Sequence, residues 1–271
     1  MKALFSVFLR YRFLLADLTA RDFKVKYRRS VLGVLWSVLN PLFMMVVLSI
    51  VFTQLMRFDA SQLGVSFLIY YLSGFLIFNF FSEATSTSMM SILSNASLIK
   101  KVYIPKYIFP LEKTLFACIN MLFSLIALLI VYIWNFFTAG QLLPLNNWTT
   151  IFLIPVPIVY TLVFSLGVSL FLSAVCVFFR DIVHLYGVLL TALMYLTPII
   201  YPVELISNPK ILMLLKCNPM YYYVKYFRDV VVFGNFPSLK ENLICIVCGV
   251  VSLLIGVLFL KKTQNKFVLY I

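Results

Sequence analysis

The residues of this chain that could do chemistry are few and scattered. It holds one histidine, His184, and nine carboxylates spread over 271 residues. No G-x-x-x-x-G-K-[ST] stretch occurs, so the phosphate-cradling loop that ATP hydrolysis needs is missing from the sequence. His184 has neither a second histidine nor a paired carboxylate at ligand spacing, which favours a membrane-boundary residue over a metal ligand or base. A polyprenyl-phosphate transferase would cluster acids to hold a divalent ion at the pyrophosphate, and these carboxylates do not cluster. Cys245 and Cys248 have C-x-x-C spacing, but they sit within an apolar run with no second pair nearby, so packing is the reading. Cys118 and Cys176 also lie in apolar runs while Cys217 stands alone in a polar one, which is no disulfide framework. An ion-coupled carrier would need an ionisable group at mid-membrane depth, and Glu83, where an apolar run turns polar, is the one candidate. A pore-facing or interface role suits it better than a proton relay. No catalytic residue, metal site or cofactor of the chain's own is expected.

The elements that position these residues must be membrane helices. The composition is 63% hydrophobic and 11% charged, against roughly half and a quarter in soluble domains. The net charge of +13 gathers beside apolar runs, where it serves topology and anionic-lipid contact rather than nucleic acid. Runs of about twenty apolar residues match the hydrocarbon thickness. They predict six spans: Val31 to Met56, Val65 to about Phe81, Leu115 to Trp134, Thr150 to Phe178, Ile182 to Ile200 and Leu243 to Leu260. Asp59 to Gln62 separate the first two; Gly140, Pro144, Asn146 and Asn147 break a charge-free stretch that is too long for one helix. Sixteen of the 22 Lys and Arg fall in the N-terminal arm, the 100–113 loop, Arg180 and the tail, so both termini are expected in the cytoplasm. Five of the remaining six lie in one outer segment, against that rule.

Two further segments stand out. In the arm, Leu4, Val7, Phe8, Tyr11, Leu14, Leu15 and Leu18 recur at helical spacing, which predicts an amphipathic interface helix, with a purely topological basic arm as the competing reading. Interrupted by eight Lys and Arg, residues 1–29 are not expected to form a cleavable signal sequence. Between spans five and six, Pro198, Pro202, Pro209, Pro219 and Pro237 divide apolar pieces too short to cross. Re-entrant helices covering a pathway are expected, a folded external loop being the alternative. The expected fold class is an all-α polytopic membrane protein in one domain, 1–271, with an arm (1–29), a membrane domain (30–260) and a tail (261–271).

The stretches Arg21-Asp22-Phe23-Lys24-Val25-Lys26-Tyr27-Arg28-Arg29-Ser30-Val31-Leu32-Gly33-Val34-Leu35-Trp36 and Asn40-Pro41-Leu42 resemble the ABC-2 type permeases that export cell-surface polysaccharides. The resemblance continues through residues 95–106, Phe179-Arg180-Asp181-Ile182, 197–202 and Asn218-Pro219, in the family's order. It implies a permease of the bacterial cytoplasmic (inner) membrane, moving lipid-linked O-antigen, capsule or teichoic acid outward. It also implies a second copy of the chain and a separate ATPase subunit that binds the ATP and Mg. An ABC-2 drug or lipid exporter is the alternative. A cytoplasmic helix between spans two and three passes ATPase movement on in this family. Carried over, Ser94, Asn95, Leu98, Ile99, Lys100 and Lys101 would form it, unless the segment is only a basic topology signal. Tyr70, Tyr71, Phe75, Tyr195 and Tyr201 are expected along the polymer path, since they fall near outer span ends. Pro202, Glu204, Pro219, Tyr221 and Tyr222 are expected in an outer gate, with Lys225, Arg228 and Asp229 at its aqueous mouth.

Overall fold

In a bilayer interior a helix satisfies each backbone amide within its own segment, and the charge-free runs fold accordingly. The structure, a computed structural model, describes residues 2–28, 30–55, 66–102, 104–139, 147–203 and 206–270. Over those residues it consists of helices joined by turns and short irregular links, with no strand. In chain order the helices are α1 (Lys2–Tyr27), α2 (Leu35–Ser49, extended by a π-type turn at Ile50–Leu55), α3 (Phe67–Met89), α4 (Ser91–Ser94), α5 (Ala96–Lys101) and α6 (Ile108–Ala139). After a 3₁₀ turn at Trp148–Leu153 come α7 (Pro155–Phe178), α8 (Ile182–Leu196), α9 (Pro209–Cys217), α10 (Pro219–Arg228, then a π-type turn at Asp229–Phe233) and α11 (Leu239–Thr263), closed by a 3₁₀ turn at Gln264–Leu269. The turn expected at Asp59 to Gln62, the first span's end at Met56 and the breaks at Gly140, Pro144 and Asn146 lie outside the described residues.

Five helices among the described residues are long and apolar enough to cross a membrane: Leu35–Phe52, Phe67–Met89, Ile108–Phe137, Thr149–Phe178 and Leu239–Phe267. The fifth expected span, Ile182 to Ile200, is corrected. Its helix α8 has 15 residues, about 22 Å at the α-helical rise, short of the roughly 30 Å of hydrocarbon. The cause is Pro198. A residue preceding proline is driven out of the helical region, and Thr197 is extended at φ −104°, ψ 127°. Elsewhere helices outrun the expected spans. The second continues past Phe81 to Met89 because its hydroxyls bond back into their own turn: Thr85 donates to the Phe81 carbonyl at 2.7 Å, Ser86 to Ser82 at 2.6 Å and Thr87 to Glu83 at 2.7 Å.

Burial ranks the helices. In α3 72% of the apolar window is buried, against 17% for the first span and 22% for α11. α3 is therefore the central post, packed by α6, α7, α8 and α10, while α2 and α11 turn Phe43, Val47, Leu254 and Leu258 outward as an apolar solvent permits. α7 and α11 cross so closely that a β-carbon on Gly167 or Gly256 would collide with the other helix's backbone.

The two ends of the bundle differ. At one, Leu15 and Leu18 of α1 pack with Ile104, Ile108 and Phe109. Ile99 and Tyr107 link that cluster to Leu260 and Phe267 at the end of the chain, and Lys106 donates to the Gln264 carbonyl at 2.7 Å. This arm end gathers α1, α5 and the C-terminal turn. The buried stripe expected on the arm is present at Leu15 and Leu18; the side chains of Leu4, Val7 and Phe8 lie outside the described ones. At the opposite end α9 and α10 form a proline-bounded hairpin. Each starts alike: Asn208 accepts from the Lys210 amide and Asn218 from the Met220 amide, both at 3.0 Å, with proline at the first helical position.

Candidate functional site

A groove of about 440 Å³ opens between α2, α3 and α6 near the arm end. Its walls are built by helical spacing. Phe75, Asn79, Ser82, Glu83 and Ser86 fall on one stripe of α3, Asn120 and Ser124 on one face of α6, and Trp36, Ser37, Asn40 and Pro41 line it from α2. The exposed positions of α3 are Asn79, Ser86 and Thr87, all polar. Ser86 and Thr87 donate back into the helix, but an Asn79 amide facing lipid would lose water's hydrogen bonds, so its stripe marks a wet face.

Pro41 shapes the α2 wall. Proline has no amide proton, so the Ser37 carbonyl one turn earlier loses its helical donor. The Ser124 hydroxyl takes over that carbonyl at 2.8 Å. Asn40 and Pro41 thus sit where the helix is held by its neighbour rather than by its own ladder.

The last turn of α1 closes the arm end of the groove. Lys26 pairs with Glu83 at 2.7 Å, and the Asn120 amide donates to the same carboxylate oxygen at 2.8 Å. The Tyr27 hydroxyl donates to the Asn120 carbonyl oxygen at 3.3 Å, and the Lys26 ammonium lies 5.2 Å from the centre of the Phe116 ring. One turn earlier Phe23 meets the edge of Phe116 with centroids 4.8 Å apart, and Asp22 pairs with Lys113 and Arg21. Partial burial pushes the Asp22 carboxyl upward, yet the ion pairs and hydrogen bonds from Lys113 and Arg21 outweigh it and hold the group below its usual range. Glu83, the lone ionisable candidate in the sequence, is therefore one member of a bonded network.

The expected coupling residues form a short exposed element. Asn95 divides the 94–101 stretch, leaving α5 to begin at Ala96. Asn95 is buried, donates to the Ser91 carbonyl at 2.8 Å and accepts from Arg21 of α1 at 3.5 Å. Leu98 and Ile99 pack inward while Ser94, Lys100 and Lys101 are exposed. The arm is thus bonded to the base of this element, a link that sequence spacing did not suggest.

Of the expected path aromatics, Phe75 lines the groove. Tyr70 and Tyr71 are buried inside α3's packing, Tyr71 stacking on Phe75 at 5.5 Å. Tyr195 is exposed and Tyr201 half-buried; the Tyr201 hydroxyl donates to the Tyr195 carbonyl at 2.7 Å and that of Tyr70 to the Tyr201 carbonyl at 3.2 Å. Tyr70, Tyr195 and Tyr201 are thereby brought together at the hairpin end.

Among the expected gate residues Pro202 is buried, Pro219 opens α10, and Tyr221 and Tyr222 meet edge to face at 5.1 Å. Glu204 lies outside the described residues. Lys225 is exposed and paired with Glu241, but Arg228 is corrected. It is 4% exposed, and its guanidinium donates to the Pro198 carbonyl, to Ile199 at 2.8 Å and to Tyr70 at 3.0 Å, lying 3.7 Å from the Tyr70 ring centre. Pro198 ends α8 and leaves its neighbouring carbonyls without helical donors; a planar, five-donor cation supplies them. Gly74 leaves the room, since a β-carbon there would collide with the guanidinium.

Sequence reasoning missed the groove. Its signal was present as Asn79, Ser82, Glu83 and Ser86 at intervals of three and four within an apolar run. Read as a polar end to the span, the stripe's common face was lost.

A family model described as "ABC-2 type transporter" matches residues 14–232. Two proteins of Klebsiella pneumoniae, each named O-antigen export system permease protein RfbA, are 28% identical over 254 residues and 26% identical over 259 residues; each alignment covers 94% of this chain and 93% of the relative. A protein of the same name from Myxococcus xanthus is 28% identical over 261 residues, covering 95% of both.

Proposed function

Because the chain belongs to the ABC-2 type transporter family, we propose that it is the membrane-spanning permease subunit of an ATP-driven exporter that moves a lipid-linked cell-surface polysaccharide outward across the bacterial cytoplasmic membrane. The observation that carries this is similarity over nearly the whole chain to proteins named as O-antigen export permeases. The exposed polar face of α3 supports it, because a hydroxyl-rich cargo needs hydrogen-bonding walls within an apolar bilayer.

Transport work comes from a partner ATPase, which carries the ATP and Mg, since this chain has no phosphate loop. Two permeases and two ATPases form the working unit, with both permease termini in the cytoplasm. Ser94, Asn95, Leu98, Ile99, Lys100 and Lys101 receive the ATPase movement, and the Asn95–Arg21 bond passes it to the arm. At the opposite end Pro202, Glu204, Pro219, Tyr221 and Tyr222 belong to an outer gate, and Tyr70, Tyr71, Phe75, Tyr195 and Tyr201 line or back the path leading to it.

The test is loss of surface polymer. Deleting the gene should abolish polysaccharide at the cell surface while lipid-linked polymer accumulates inside, and a plasmid copy should restore export. Unchanged surface polysaccharide in the deletion strain would contradict the assignment.

A further inference from the structure

We infer, on the reading of the chain as a polysaccharide permease, that the groove between α2, α3 and α6 is a subsite for uncharged, hydroxyl-rich sugar repeats and that it rejects polyanionic ones. The observations are the charge and hydrogen-bonding character of the lining. Among the described residues that line it, Lys26 is the one cation and Glu83 the one anion, and they are engaged with each other at 2.7 Å. The remaining polar walls are neutral amides and hydroxyls. Asn40 and Asn79 are exposed to the groove, and an amide both donates and accepts, as a sugar hydroxyl does.

Two aromatic faces complete the match. Trp36 and Phe75 line the groove from α2 and α3, offering apolar surface to the C–H faces of a sugar ring beside groups that bond its hydroxyls. A uronate or phosphodiester repeat would instead bring a negative charge beside Glu83, into a groove whose single lining cation is already compensated. Glu83 would repel it at short range. Selection thus comes both from what neutral repeats gain and from what charged repeats lose.

Trp36 supplies a direct readout, because the chain has three tryptophans, at 36, 134 and 148. In a Trp134→Phe, Trp148→Phe background, the full chain in phosphatidylcholine nanodiscs is titrated with a neutral mannan oligosaccharide and with an oligogalacturonate of equal length. Trp36 emission should respond to the neutral chain at concentrations about tenfold lower than to the uronate. Asn79→Leu should weaken the neutral response about tenfold. Glu83→Gln, which still offers Asn120 an acceptor but leaves Lys26 uncompensated, should bring the uronate to within about twofold of the neutral chain. Equal responses in the background protein would overturn the charge selection while leaving the permease assignment standing. Response to neither oligosaccharide would remove the groove as a sugar subsite; the surface-polymer test of the permease assignment does not depend on it.

Discussion

The Ser124 hydroxyl on α6 donates, at 2.8 Å, to the Ser37 carbonyl on α2, the acceptor that Pro41 leaves without its helical donor. One side chain thereby repairs a helix and ties two groove walls together. Ser124→Ala should destabilise the protein by about 1 kcal/mol, seen as a lower Tm in detergent. In a Pro41→Ala background the amide of residue 41 serves the same carbonyl, and the cost of Ser124→Ala should shrink. Equal cost in both backgrounds would mean that the hydroxyl does not replace the missing donor.

Arg228 should tolerate no conservative change. Its planar fork reaches three carbonyls from Tyr70, Pro198 and Ile199, which a lysine ammonium cannot satisfy together. Arg228→Lys and Gly74→Ala should each lower stability by about 2 kcal/mol or more and expose the α9–α10 hairpin to a membrane-impermeant thiol reagent at cysteines placed in α10. Wild-type labelling in both variants would show that the hairpin is held by other contacts.

Acid should loosen the arm. The folded pKa of Asp22 lies below its ordinary value of 3.8 because Lys113 and Arg21 outweigh partial burial. A depressed carboxylate stabilises fully above its unfolded value, and that contribution is lost as pH falls through the lower folded value. Thermal unfolding between about pH 5 and pH 2 should therefore show a loss that Asp22→Asn, already lacking the contribution, does not share. Parallel pH curves for the two proteins would dismiss the Asp22–Lys113 pair as a stabilising contact.

The helices were largely legible because bilayer hydrocarbon demands long charge-free runs, and such runs are visible residue by residue. What misled was polarity at their ends. Ser82 to Ser91 reads as the polar end of a span, yet hydroxyls that bond to the preceding turn let α3 continue to Met89. Ile182 to Ile200 had the length of a span, yet Pro198 stops α8 at Leu196. Charge alone places Arg228 in water. The carbonyls that bury it come from residues 70, 198 and 199, a conjunction made only by tertiary packing. The groove was half legible: the α3 stripe could be read from spacing, whereas its pairing with Asn120, Ser124 and Lys26 required the fold.

Reversing charge at Lys100 and Lys101 should separate coupling from folding. Both are exposed at the end of α5, while Leu98 and Ile99 anchor the element. Lys100→Glu with Lys101→Glu should leave membrane insertion and yield intact and reduce ATPase activity in the assembled complex several-fold. Export at the normal rate by the double variant would reduce this loop to a topology signal.

If this chain forms an ATP-driven path for a sugar polymer, transport across a sealed vesicle reads it out. Inside-out vesicles containing the chain and its partner ATPase are supplied with lipid-linked polysaccharide on the outer, ATPase-bearing face. Addition of ATP should make polymer resistant to an added glycosidase as it passes to the lumen, and Asn79→Leu should slow this while the ATPase still binds. Protection that develops equally without ATP, or without this chain, would contradict the account.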